Sequence, residues 1–212
     1  KILIIDPSNK MENDKTFCFW AEEKDEIYHT YKSIISKNWT YVQINNNNSS
    51  SIEPIKYFHV DSKDLYNWSR KIIKKHNIIH KREKVVDVVK TKILRISTIN
   101  HQYFSDWFFD SRPPDFSNLK NTKFNIFQSF YGLKLNFIDS ELNPDVYRMM
   151  DFRVSQDKAT QFVYILPYSS KSALVELTRF GKTIIDEEDA KNQLDFFIKK
   201  NFGTYKILET EK

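Results

Sequence analysis

The chain has 212 residues, 40% hydrophobic and 15% aromatic, and a formal net charge of +5. Its length allows a sizeable core. No run of about 18 apolar residues is present, which excludes a membrane-spanning helix, and a single cysteine, Cys18, excludes an internal disulfide framework and fits a reducing compartment. Glycine is scarce: only Gly132, Gly181 and Gly203 occur, so no glycine-rich phosphate loop lies within these residues.

Lys1 to Asp6 is an apolar run ending in an acid, followed by Pro7-Ser8-Asn9, which predicts a buried parallel strand. In dinucleotide-binding units an acid about 20 residues after the glycine fingerprint closes the second strand and binds ribose hydroxyls. Asp6 stands where that acid would stand if the fingerprint lay upstream of residue 1. Residues 13–20 read as an aromatic loop. Residues 27–44 read as a short helix and then a strand, and Asn45 to Ser51 as a polar turn. Ile55 to Val60 is strand-like. Asp61-Ser-Lys-Asp64 opens a helix whose apolar positions are Leu65, Trp68, Ile72 and Ile73.

Lys84 to Ile99 reads as strands, and Tyr103 to Asp110 as another, closed by Arg112-Pro113-Pro114. Alternation continues in 124–137, 150–154, 161–166 and 172–178. Residues 186–200 form the clearest helix, with Ala190, Leu194, Phe197 and Ile198 on one face and acids in the first turn. Tyr205 to Leu208 is a last strand. Together these predict an α+β (α/β) fold dominated by a large, mostly antiparallel sheet and entered by one parallel strand.

Glu176 is the most informative residue. Alternation puts Leu174 and Glu176 on one strand face and Val175 and Leu177 on the other. A carboxylate beside Leu174 under a sheet must be paired, protonated or used; on a half-exposed strand it would simply face water. Other candidates fall away. His76 and His80 lack a third ligand for a metal, Cys18 has no local nucleophile signature, and Ser169, Ser170 and Ser172 lack a nucleophile elbow. The basic clusters Lys71, Lys74, Lys75 and Lys81, Arg82, Lys84 could attract anionic lipid or nucleic acid. With acids interspersed and no nucleic-acid motif, they read as a solvated face.

Six motifs in order carry a family resemblance: Ile2-Leu-Ile-Ile-Asp6, Asp14-Lys-Thr-Phe-Cys-Phe-Trp20, Phe109-Asp-Ser-Arg-Pro113, Gln128-Ser-Phe-Tyr-Gly132, Met150-Asp-Phe-Arg153 with Gln156, and Phe162 to Pro167 leading into Ala173-Leu-Val-Glu-Leu-Thr178. Together they resemble the bacterial lycopene cyclases, FAD-dependent enzymes of carotenoid biosynthesis. The resemblance implies a flavin-hydroxylase-like fold. Residues 1–113 would be a partial FAD-binding domain with inserted elements, and 114–212 the substrate-binding sheet and the helix that follows. It implies reduced FAD as cofactor, NAD(P)H as electron donor and lycopene as substrate. The reaction implied is a redox-neutral cyclisation of the ψ end groups to β-rings.

By the same resemblance Glu176 is the catalytic carboxyl, as acid, base or electrostatic partner, and Asp6 binds the FAD ribose; Asp110 and Arg112 at a strand end could lie near the flavin or be structural. Family members often carry a second acid directly after the first; here that position is Leu177. Asp151 and Arg153 could bracket the flavin or form a structural ion pair, and the latter is the simpler reading. A lipid-dissolved substrate implies a peripheral enzyme on the cytoplasmic membrane, with no nucleic-acid partner. The resemblance also implies that these residues are an internal segment, inactive alone, since half of the flavin site would lie outside it. The alternative class is an FAD-dependent oxidoreductase or monooxygenase on an apolar substrate.

Overall fold

The computed structural model describes residues 1–112 and 126–211. In chain order its elements are β1 (Leu3–Ile5), β2 (Thr16–Ala21), α1 (Glu26–Tyr31), a 3-10 turn (Lys32–Ile34), β3 (Lys37–Trp39), β4 (Tyr41–Ile44), β5 (Ser50–Ser51), β6 (Lys56–Asp61), α2 (Ser62–Lys75), β7 (Ile79–Lys81), β8 (Val85–Lys90), β9 (Leu94–Thr98) and β10 (Gln102–Ser105). Then follow β11 (Phe127–Phe137), β12 (Val146–Asp151), β13 (Thr160–Pro167), β14 (Ser172–Gly181), α3 (Glu187–Phe202) and β15 (Tyr205–Glu211).

These elements cluster into two units that interleave along the chain. One comprises Lys1–Asn13 and Ser62–Lys120; the other comprises Asp14–Asp61 and Asn121–Lys212. The sequence reading drew a single boundary at 113/114, a point outside the described residues. The contacts instead place 14–61 with the C-terminal half.

In the first unit β1 pairs with β7 in parallel, Leu3 opposite Ile79 and Ile5 opposite Lys81. Strands β8, β9 and β10 form an antiparallel meander. Helix α2 has a half-buried stripe of Leu65, Trp68, Ile72 and Ile73, with Lys71, Lys74 and Lys75 exposed. That is the solvated face read from the sequence. Among the described residues no helix is long and apolar enough to cross a membrane.

The second unit is built on a seven-stranded sheet in the order β15-β11-β14-β13-β12-β4-β5, with a three-stranded sheet β2-β6-β3 beside it. All neighbours in the large sheet are antiparallel except β4 and β12. The parallel strand of this sheet is therefore β4; β1 pairs in the other unit. Strict alternation on β14 decides the layering. Ala173, Val175 and Leu177 join Leu133, Leu135, Val163 and Ile165 against Ala190, Leu194, Phe197 and Ile198 of α3. Fully burying each such side chain contributes about 1.5–3 kcal/mol, so this layer fixes which way the opposite face of β14 points.

Helix α3 starts because the Asp186 side chain accepts the N–H groups of Glu188 (2.9 Å) and Asp189 (3.2 Å). Glu187, Glu188 and Asp189 further favour its positive end. It stops at Gly203, whose φ of 78° suits a residue without Cβ. Asp139 then accepts the Thr204 N–H at 2.6 Å, and the chain turns into β15.

Several elements differ from the sequence reading, among them the strand read over 150–154, which runs over Val146–Asp151 instead. Thr16–Ala21 is a strand, not a loop; it pairs along β6 from Thr16 opposite Asp61 to Ala21 opposite Lys56. Its two faces are both apolar, with Phe19 stacking on Phe58 and Trp20 stacking on Tyr57, so no polar alternation marked it. Strand β7 is exposed along its length and, at three residues, too short to show a period. The strand expected over Tyr103 to Asp110 ends at Ser105, whose hydroxyl donates to the Trp107 carbonyl (2.7 Å) in a local turn. The expected stop at Pro113-Pro114 and the start of β11 at 124–125 lie outside the described residues.

Candidate functional site

The face of β14 turned away from α3 carries Leu174, Glu176 and Thr178. Leu174 packs with Leu166, Trp39 and Tyr147, and Tyr57, Met149 and Tyr168 border that cluster. Antiparallel register sets Glu176 opposite Tyr164 of β13 on one side and Gly132 of β11 on the other. The aromatic layer is continuous. Tyr57 and Tyr147 rings lie 4.7 Å apart, Trp20 and Tyr57 stack at 4.4 Å, and Trp39 and Tyr57 lie 5.7 Å apart. Polar tips are satisfied within it: the Trp39 indole donates to the Pro167 carbonyl (2.9 Å) and the Trp20 indole to the Tyr147 hydroxyl (3.2 Å).

Glu176 is partly buried in this setting. Burial pushes its carboxyl up to about 7, against the pull of the Thr178 hydroxyl, which donates to Oε1 at 2.9 Å; the charge of Glu211 adds to the rise. Burial likewise raises the Tyr164 phenol, with Glu176 adding to it. Cys18 is pushed up to about 12 by burial, then opposed by a hydrogen bond from Tyr57. A carboxyl titrating near 7 can give or take a proton at neutral pH. The water-facing alternative for Glu176 is not what this geometry holds.

A cavity of about 370 Å³ lies nearby, lined in part by Ser36, His59, Asp61, Lys134 and Tyr168. Buried His59 is lowered to about 4, chiefly by desolvation, and its Nδ1 lies 2.6 Å from the Ser36 hydroxyl. Tyr168, on the cavity wall, is also hydrogen-bonded to Thr16. None of His59, Ser36 or Tyr168 was singled out from sequence. A histidine in an aromatic strand, Tyr57-Phe-His-Val60, was the available signal.

In the other unit Asp6 ends β1, its N–H donating to the Lys81 carbonyl at 3.1 Å. Its carboxylate accepts the Ser8 N–H (2.8 Å) and faces Lys10 Nζ at 3.6 Å. Asp110 and Arg112 meet each other in a two-pronged pair: Arg112 Nε donates to one carboxylate oxygen (2.9 Å) and a terminal nitrogen to the other (2.8 Å). That hydrogen bonding holds Asp110 down to about 2, and the remaining Arg112 nitrogen donates to the Val85 carbonyl at 3.3 Å.

Asp151 is fully buried and holds both Arg148 (2.8 Å) and Arg153 (2.6 Å), with Arg148 also donating to Gln43. That is the structural ion pair, extended to a third charged residue. Among the described residues no group of three or more His, Cys, Asp or Glu is placed to hold a metal ion.

The family model described as lycopene cyclase protein matches residues 1–212. No curated protein matches the chain. Among solved structures, a geranylgeranyl bacteriochlorophyll reductase-like protein from Thermoplasma acidophilum is similar at 12% identity and a TM-score of 0.55, covering 99% of this chain and 58% of its own. The flavin-dependent brominase Bmp2 is similar at 12% identity and a TM-score of 0.60, covering 99% and 59%. The halogenase PltM, solved with phloroglucinol and FAD, is similar at 11% identity and a TM-score of 0.53, covering 86% and 44%. The chain thus spans less than two thirds of these structures, and at such identities the likeness establishes a flavin-hydroxylase-like fold.

Proposed function

The chain belongs to the lycopene cyclase family, and from that premise we propose that the protein cyclises the ψ end groups of lycopene to β-rings. The observation that carries the reading is Glu176: one carboxyl on the aromatic face of the large sheet, raised to about 7 by burial. Lycopene offers no polar handle, so catalysis must consist of proton movement and charge stabilisation. The neutral Glu176 carboxyl protonates the terminal alkene. A neighbouring double bond attacks the resulting tertiary cation and closes the ring, and the adjacent ring carbon then gives up a proton that restores the Glu176 carboxyl, leaving the β-ring and no net change in protons. Trp20 of β2, Tyr57 of β6, Tyr147 of β12 and Tyr164 of β13 bring electron-rich rings to the face that carries Glu176, which suits a carbocation.

The residues present fit the ribose end of FAD. Asp6 closes a strand of a parallel pair, is partly exposed, and accepts one backbone N–H, leaving acceptor capacity for vicinal hydroxyls. Asp110 and Arg112 stand in the same unit and offer the flavin a fixed pair of charges. A glycine cradle for the pyrophosphate is not among these residues, because all three glycines belong to the other unit. Bound there and reduced by NAD(P)H, FAD would supply negative charge to the reaction with no net consumption of electrons. A substrate dissolved in lipid places the enzyme at the membrane surface.

The test is to express the full-length protein in cells that accumulate lycopene, beside Glu176→Gln, and to separate the pigments by chromatography. Cyclic carotene from the wild type, lost in the variant, supports the reading. Unchanged lycopene with flavin-loaded protein sinks it. Substrate-dependent oxidation of NAD(P)H with oxygen uptake replaces it with the oxidoreductase class.

A further inference from the structure

The residue after Glu176 is Leu177, which is buried on the α3 side of the sheet and can contribute nothing to the acid's face. We propose that Glu211 is the second carboxylate of this site, a positioning residue that keeps Glu176 protonated from across the side-chain-free position of Gly132. The inference rests on the cyclase reading above and deepens it.

Register brings the two acids together. Gly132 of β11 lies opposite Glu176 on β14 and, on its other edge, opposite Glu211 on β15. The three residues therefore form one row on one face, although Glu211 is far along the chain from either partner. A Cβ placed at Gly132 would lie 3.5 Å from the Glu211 Cβ and 3.7 Å from the Glu176 Cβ, with Leu174 Cδ1 at 3.2 Å. Any longer side chain there would stand between the two carboxyls. Glycine leaves the sheet face between the two acids free of any side chain.

The surroundings distinguish the two acids chemically. The oxygens of Glu211 accept the Thr16 N–H (2.7 Å) and the Thr16 hydroxyl (2.8 Å). Two donors suit a carboxylate and not a carboxylic acid. Among the described residues Glu176 accepts only from the Thr178 hydroxyl. The other titratable groups around it are Cys18 of β2, Tyr57 of β6, Tyr147 of β12 and Tyr164 of β13, all held neutral at physiological pH by burial. The nearest cation on β11, Lys134, is engaged by Glu209 at 3.2 Å and Asp61 at 4.0 Å. Charge on Glu211 is thus the anionic influence on Glu176 from the neighbouring strands. A negative charge in the row disfavours ionisation of Glu176 and so favours its protonated form.

The experiment uses the full-length, flavin-loaded protein. Difference infrared spectroscopy follows the protonated carboxyl band of Glu176, assigned by its loss in Glu176→Gln, as pH is raised. In Glu211→Gln the band should vanish at a pH lower by about half a unit to one unit, the size expected for a unit charge two strands away. The alkaline fall of cyclisation rate should move with it, giving roughly a three- to tenfold deficit at pH 8. Glu211→Asp, which keeps the charge, should return both toward the wild-type position. If Glu211→Gln does not yield folded protein, Glu211→Ser gives the same comparison. A band that titrates identically in wild type and neutral variant overturns the role of Glu211, even if Glu176→Gln is inactive. Full cyclisation by Glu176→Gln instead overturns the cyclase reading of the site and leaves the infrared comparison standing.

Discussion

Replacing Glu176 by glutamine should make the folded protein more stable at pH 8 while leaving it nearly unchanged at pH 4.5. The folded-state pKa is about 7 against an ordinary 4.5, raised first by burial. A difference of about 2.5 units corresponds to about 3 kcal/mol. The sign follows from proton binding. Between pH 4.5 and 7 the folded state holds a proton that the unfolded state releases, so stability falls as pH rises through that window and then levels off. The contribution is fully present below 4.5, where protonated Glu176 and glutamine are near-isosteric. Guanidinium unfolding followed by tryptophan fluorescence reads this directly, since Trp39 is buried in the cluster that includes Leu174. The variant's advantage should grow from near zero at pH 4.5 to about 3 kcal/mol at pH 8. An advantage that is the same at both pH values, or a less stable variant at pH 8, would show that Glu176 is an ordinary hydrated carboxylate and refute the reasoning. A catalytic acid that weakens its own fold at working pH is the usual bargain of a site tuned for chemistry.

Three further outcomes are expected. Asp151→Asn leaves Arg148, mostly buried, without its anion and should destabilise by about 3–5 kcal/mol in chemical denaturation. Burial alone would raise the Asp151 pKa, but hydrogen bonds from Arg153 and the charges of Arg153 and Arg148 hold it low. Its stabilisation is therefore present above about pH 4 and lost on further acidification, and the variant's acid unfolding should be correspondingly less steep there. Cys18, raised to about 12, should resist thiol reagents at pH 8 until the protein is denatured; rapid labelling of native protein would contradict its burial. Asp186→Ala removes the cap of α3 and should lower stability by about 1 kcal/mol in the same denaturation assay.

Much of the fold was legible because one face of each main strand is packed and the other is different. The alternation of Ala173, Val175 and Leu177 against Leu174, Glu176 and Thr178 named both the helix-facing layer and the face that carries the acid. The α3 signal was as plain, with Asp186, the following acids and Gly203 marking both ends. The signal failed where periodicity carries no information. Strand β2 is apolar on both faces, and β7 is only three exposed residues, Ile79–Lys81, too few to show a period, held by hydrogen bonds to β1 alone among the described residues. The interleaving of the units was equally silent, because no composition shift marks residues 14 or 61.

The acid's partner was illegible for a different reason. A motif read along the chain looks for the second carboxylate at 177, but neighbours on a strand point to opposite faces. Leu177 is therefore in the wrong layer, and any residue there would be. A partner for Glu176 has to come from position 174 or 178 of its own strand or from the row across the sheet. The row contains Tyr164, Gly132 and Glu211, each fixed by a separate antiparallel register. Only knowledge of all three pairings reveals that the scarce glycine at 132 sits between two carboxyls. Gly132→Leu is then the decisive geometric perturbation: it keeps both acids and both backbones but puts a hydrophobic side chain between them. It should raise the Glu176 titration further, because apolar atoms beside the acid lower the local dielectric, which strengthens the influence of Glu211 and deepens the desolvation of Glu176. A titration that moves downward instead, as in the neutral Glu211 variant, would contradict this account of the row.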